Sequence, residues 1–280
     1  MVSPSEPELE ALRREVDRID RAAVQLLADR LRVVRAIAAL KGQGPTSRPA
    51  IRPGREAVIL RRLVAQAGGR FPAATLVRMW RELLAATTRA QAPLTVAACV
   101  PPDRQELWDL VRDHFGSSAP ILRAADAAHG LRLVAEGAAD LVVMPLPGDA
   151  VTWWTGLSDL PLRIVARLPF VWTRNGEGAL VAGNFAPDPS GDDLTVVVLA
   201  AAPGLPADQL PALCRSTGLA ARTLTSTTLG THDGSLHLIE IDGFVEADDH
   251  RLAAAHIEAG GLVLRCAWLG GYARPLAVGD

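Results

Sequence analysis

Arg30 sits in the middle of an apolar stripe. Leu26 and Val33 flank it at helical spacing, where a cation is costly unless something pairs with it. Lys41 follows eleven residues later, about three helical turns, and so faces nearly the same way. Arg55 and Glu56 stand together downstream, and Thr87 and Gln91 lie four apart, on one face of any helix that carries them. Cations gathered this way, with few carboxylates beside them, suggest a bound anion, and guanidinium forks suit carboxylates. Arg13 does not fit a site in one chain. It precedes Arg30 by seventeen residues, about 26 Å along a helix axis, and points to another side. An intertwined homodimer would resolve this, with Arg13 reaching the pocket of the other subunit.

The elements that must position these residues read as three helices. Leu9, Leu12, Val16, Ile19, Ala23, Leu26, Val33, Ile37 and Leu40 recur at steps of three and four and predict one long helix over 5–43, with Ser5 and Glu8 as a capping box. Gly and Pro break it over 42–49. A second helix is expected over 54–67 on Val58, Ile59 and Leu63, and a third over 72–91 on Leu76, Met79, Trp80, Leu83 and Leu84. From Leu94 the pattern alternates strand and helix, which argues for a parallel α/β layer. Residues 186–193 (APDPSGDD) read as a linker. The last ninety or so residues read strand–helix–strand–strand–helix–strand, a ferredoxin-like α+β pattern.

Composition narrows the function. The chain has 280 residues, 49% of them hydrophobic, with 29 basic against 31 acidic side chains and a net charge of -2. That size allows two or three small domains, and the charge balance argues against nucleic acid as a partner. Cys99, Cys214 and Cys266 are far apart and odd in number, with no metal spacing and no disulfide framework. The opening residues lack the basic and apolar regions of a signal peptide. The apolar run 194–202 is too short to span a bilayer. The expectation is a cytoplasmic protein with no membrane partner.

Three strings then become specific. ALRREVDRIDRAAVQLLADRLRVVRAIAALK (11–41) resembles the first helix of the all-α, type II chorismate mutases, RPAIRPGREAVILRRL (48–63) their second-helix entry, and LVRMWRELLAATTRAQ (76–91) their third. The resemblance covers nearly all of the first ninety residues. By position it implies Arg13 as the arginine donated across a dimer, Arg30, Lys41 and Arg55 as pocket cations, and Glu56 as the carboxylate that holds the substrate hydroxyl. It implies Thr87 as the small hydroxyl residue and Gln91 as the neutral amide. Arg52 stands where the family often has Asp, so its contact with substrate departs from the pattern. Any one Arg or Lys on a long helix is ordinarily a solvated face; seven matching positions over three helices weigh against that for the set.

The resemblance implies a substrate, chorismate, with two carboxylates, and a unimolecular pericyclic rearrangement to prephenate. Such a reaction requires no nucleophile, metal or cofactor. The protein must hold a compact reactive conformer and stabilise a polarised transition state. Negative charge grows on the breaking ether oxygen, where Lys41 and Gln91 would donate. Preorganised donors of this kind are worth about 2.7–4 kcal/mol each.

Residues 94–147 resemble the opening of a prephenate dehydratase domain, a periplasmic-binding-like partial lobe, and CAWLGGYARP (266–275) resembles the closing strand of its regulatory ACT domain. The implied layout is a mutase domain over 1–92, a degenerate dehydratase-like α/β domain over 93–185 and an ACT-like domain over 186–280, as in the bifunctional P-proteins. The departures are extensive. VPPDRQ (100–105) replaces a Gly-rich loop, LPGDA follows Pro145 in place of Glu-Asn-Ser, and GEGALVAGNF (176–185) lacks the Thr-Arg-Phe triad. GLPA (204–207) and STTL (226–229) stand where the family binds phenylalanine. Loss of dehydratase activity is therefore expected. Two other readings stay open: a regulatory or partner-binding subunit of an aromatic-pathway enzyme, and a bifunctional mutase/dehydratase. The six histidines show no ligand spacing, and Trp153–Trp154 reads as core or interface.

Overall fold

A computed structural model of the chain describes residues 6–40, 51–148, 151–172, 178–203, 205–228 and 234–277. It divides into two compact units, Met1–Pro49 with Thr87–Pro93, and Ala50–Ala86 with Leu94–Asp280.

The first unit is dominated by helix α1 (Glu6–Leu40), 35 residues long, or about 52 Å at 1.5 Å per residue. Its surface is stabilised locally by pairs one turn apart, such as Arg18 with Glu15 at 2.8 Å. Its apolar stripe is largely uncovered: Leu12, Val16, Ile19, Leu26 and Val33 are all exposed, and Ala38 is the buried residue of the helix. The expected capping box at Ser5 and the helix end beyond Leu40 lie outside the described residues.

The second unit opens with α2 (Pro53–Ala67), which starts on a proline suited to a first helical turn. Helix α3 (Ala73–Arg89) follows, and its last residues are counted with the first unit. Ala57, Leu60, Val77 and Leu84 from these helices form one buried cluster with Phe170 and Val171. The buried side of α3 overlaps the stripe that spacing suggests only in part: Leu84 is buried and Trp80 packs against the cluster, but Val77 and Arg81 complete the buried face in place of Met79. Met79 is 55% exposed, while Arg81 is 5% exposed.

Nine strands form one sheet in the order β2-β1-β3-β5-β4-β9-β6-β8-β7. Strands β1 (Val96–Cys99), β2 (Ile121–Ala124) and β3 (Leu141–Pro145) are parallel, joined through α4 (Glu106–Phe115) and α5 (Ala127–Ala135). Parallel strand–helix–strand units of this kind need both sheet faces covered, and two separate apolar clusters lie against this part of the sheet. Strands β4 (Arg163–Leu168) and β5 (Ala179–Gly183) continue it antiparallel. β5 falls within a Gly-flanked stretch that the sequence reading leaves without a strand.

The remaining elements are β6 (Asp193–Ala201), α6 (Leu210–Ser216), β7 (Ala221–Thr228), β8 (Ser235–Asp242), α7 (His250–Glu258) and β9 (Val263–Ala273). β6 is paired antiparallel on both sides, by β8 and β9. Leu210, Cys214 and Leu252 from the two helices pack with Val197, Leu199, Ile239 and Ile241. The sheet is continuous through the expected boundary at 185/186. β4 meets β9 at one parallel pair, Ile164 with Gly270. Gly270 has φ +119°, and a Cβ there would lie 2.2 Å from the Ile164 carbonyl oxygen, so only glycine allows the join. Among the described residues no helix is long and apolar enough to cross a membrane.

Candidate functional site

In the first unit α1 and the end of α3 bring three of the expected residues together. Arg30 donates through Nη1 to Thr87 Oγ1 at 3.3 Å, and Gln91 Nε2 donates to the Thr87 carbonyl at 3.0 Å. Thr87 is buried, and partial burial lowers the Arg30 pKa from its ordinary value. A guanidinium carries five N–H donors. One of them is used on Thr87, so Arg30 keeps donors for an anion. Lys41 lies outside the described residues. Arg13 is 66% exposed and sits 3.6 Å from Glu10 on its own helix, far along α1 from Arg30.

In the second unit Arg52, Arg55 and Glu56 all belong to the start of α2. No side chain of the helix's own caps it. Asp188 does so instead. Its Oδ1 accepts from the Gly54 N–H at 3.0 Å and its Oδ2 from the Arg55 N–H at 3.2 Å. These are two of the N–H groups that a helix start leaves without partners. Arg52 Nη2 lies 3.2 Å from the same carboxylate. Approach is this close because residue 54 is glycine: a Cβ there would lie 2.1 Å from the Asp188 carbonyl oxygen. Two turns further on, Arg61 donates to Ser190 Oγ at 2.8 Å and to the carbonyls of Asp192 and Arg274 at 2.7 and 2.8 Å. Helix α2 is thus pinned to residues 188–192 at its first and third turns.

The Arg55 side chain is exposed. Glu56 points inward and accepts from Arg81 Nη1 at 2.6 Å. Burial pushes the Glu56 carboxyl up from its ordinary value, and the Arg81 guanidinium opposes that shift. Arg81 also lies over the Phe170 ring at 5.4 Å, with Arg61 over the same ring at 5.7 Å.

Three residues of this arrangement are absent from the sequence reading: Asp188, Arg61 and Arg81. Arg81 had the signal that singles out Arg30, a cation spaced four and three residues from Val77 and Leu84. Asp188 and Arg61 had none, because their partners are more than 125 residues away in sequence.

Residues 12–92 match the family model for chorismate mutase type II. The N-terminal region is thus similar in sequence to the type II chorismate mutases. It contains every expected site residue, from Arg13 to Gln91. Among curated proteins, the chain is 29% identical over 134 residues to a bifunctional chorismate mutase/prephenate dehydratase from Neisseria gonorrhoeae, covering 48% of this chain and 36% of that protein. A bifunctional chorismate mutase/prephenate dehydratase from Pseudomonas aeruginosa is 28% identical over 142 residues, covering 50% and 39%. The chain thus spans little more than a third of the length of the curated relatives it matches. Among solved structures, a quorum-quenching acylase is similar at a TM-score of 0.47 and 18% identity, covering 65% of this chain and 95% of that one. Prephenate dehydratase from Arthrobacter aurescens is similar at 0.48 and 14%, covering 66% and 93%.

Proposed function

We propose that the chain is a chorismate mutase that rearranges chorismate to prephenate in aromatic amino-acid biosynthesis. The observation that carries the reading is the chorismate mutase type II match over residues 12–92, the stretch that holds the whole cation set. Arg30, Lys41 and Arg55 would take the two substrate carboxylates, with Arg52 beside them and Thr87 fixing Arg30 through its hydroxyl. Glu56 would accept from the substrate hydroxyl. Lys41 and Gln91 would donate to the ether oxygen as its bond to carbon lengthens. No bond forms to the protein. The rate gain comes from holding one reactive conformer and from donors already aimed at the growing charge.

Arg13 would serve the site of a second copy in a homodimer. The exposed stripe of α1 supports this, because Leu12, Val16 and Ile19 need an apolar partner and lie on the stretch around Arg13. The region beyond residue 92 is read as a dehydratase-like domain without its catalytic tripeptide over 93–185, and an ACT-like domain over 186–280. The bifunctional reading is kept as an alternative because the curated relatives carry both activities in their names. Incubating the purified chain with chorismate separates the two: prephenate alone supports a mutase, and phenylpyruvate as well supports the bifunctional enzyme.

A further inference from the structure

Helices α3 and α4 and the Pro169–Val171 segment border a half-open cavity of about 250 Å³, lined by Val77, Arg81, Leu110, His114, Phe170 and Val171 among others. All of these belong to the second unit. None is among the residues assigned above to chorismate. The volume is just below the usual range for small-molecule pockets, roughly 300–1,000 Å³, and far above that of one water.

The walls carry Val77, Leu110, Phe170 and Val171 together with three charged side chains, Arg78, Arg81 and Asp113. Arg81 is 5% exposed, and its Nη1 is taken by Glu56. Its Nε has no acceptor among the described residues, although it is buried. Buried polar groups almost always find a partner, so an orphaned guanidinium N–H beside a cavity points to something that fills it. The other charges nearby do not answer it. Asp113, itself in the lining, is engaged by Arg78. His114 is held neutral, its pKa pushed well below the ordinary value by burial and then by Arg81. The cavity therefore offers, beside its apolar walls, a guanidinium that is paired with Glu56 through Nη1 and keeps an unused N–H at Nε.

We propose that this cavity binds a small monocarboxylate with an apolar body, its carboxylate taken by the unused N–H groups of Arg81 and its body packed against Val77, Leu110 and Phe170. Water would satisfy the donors but would leave the apolar walls wet; a bare inorganic anion would leave them equally wet. A carboxylate attached to a ring or branched chain meets both demands. Because the same guanidinium anchors Glu56, occupancy would also compete for the group that holds this side chain. That consequence rests on the proposed mutase reading, whereas the binding itself does not.

The probe is benzoate, titrated into the full chain by calorimetry and by methyl NMR, with benzamide as the uncharged isostere. Benzoate should bind at least ten-fold more tightly than benzamide and shift the methyl signals of Val77 and Leu110. Val77→Phe, which fills the space without touching the cation, should abolish binding of both. Arg81→Gln should erase the preference for the acid. Since it strands Glu56, the pair Arg81→Gln with Glu56→Gln serves if the single variant does not fold. Equal binding of acid and amide, no binding of either, or full retention of binding in Val77→Phe would each overturn the proposal. Turnover is not part of the readout, so a chain without mutase activity would leave the result interpretable.

Discussion

Replacing Asp188 by alanine removes the cap of α2 from 134 residues away. Asp188 accepts from two backbone N–H groups, at 3.0 and 3.2 Å, with 21% of its side chain exposed. Loss of a helix cap costs about 0.5–2 kcal/mol, and loss of a carboxylate at a helix start about 0.3–1 kcal/mol. The ion pair with Arg52 adds little, because Arg52 is 57% exposed. Asp188→Ala should therefore lose about 1–2.5 kcal/mol in urea melts, and its Tm should fall by roughly 2–4 °C per kcal/mol. Asp188→Asn keeps a capping oxygen and should lose less than half as much. Arg55 and Glu56 ride on the turn that comes loose, so KM for chorismate should rise in the alanine variant. If Asp188→Ala melts with the wild type, within about 0.3 kcal/mol, the cap is not holding the helix.

Other expectations follow from single groups. Arg30→Ala should cut kcat for chorismate by about 10²–10³, the loss typical of one preorganised donor, with an unchanged far-ultraviolet circular dichroism spectrum; near-wild-type turnover would remove Arg30 from the site. His114 is neutral in the fold, its pKa depressed by burial. The unfolded chain protonates it below about pH 6.5, so the stability present above that pH should fall as the solution is acidified, by up to about 1.4 kcal/mol per unit for this group. His114→Gln should flatten that slope in melts at pH 5 to 7. Burial raises the pKa of all three thiols, that of Cys266 to about 11. The native chain should react slowly with a disulfide reagent at pH 8, with all three thiols appearing on denaturation.

The helices at the start of the chain were legible because their signal is local. Apolar residues at steps of three and four give α1, α2 and α3 within a few residues of the observed bounds. Which face α3 buries was less so. Periodicity favoured Met79, and the fold instead buries Arg81 beside Glu56, a choice made by a partner on another helix. The strand and helix order of 193–273 could also be read, since each element has its own pattern. The continuity of the sheet could not, because it depends on β4 pairing with β9 at Ile164 and Gly270, more than a hundred residues apart. The segment 186–193 looks like a linker by composition. In the fold Asp193 is buried and accepts from the Ser190 N–H and hydroxyl and the Gly191 N–H, while Asp188 and Ser190 grip α2. Short polar residues that serve a distant helix look the same, in sequence, as those that serve only solvent.

Of the site, the residue types were legible and the partners were not. Arg30, Thr87 and Gln91 come together in one unit, and Arg52, Arg55 and Glu56 share the first turn of α2 in the other. The groups that orient the second set, Asp188 and Arg81, reach it from elsewhere in the chain.

The most direct measurement is the fate of chorismate with the full purified chain, followed by its loss of absorbance and by chromatography of the products. A mutase built on these cations should convert it to prephenate, with Arg30→Ala and Lys41→Ala each nearly inactive yet folded. Chorismate left intact, or consumed equally well by both variants, would contradict the assignment of this site.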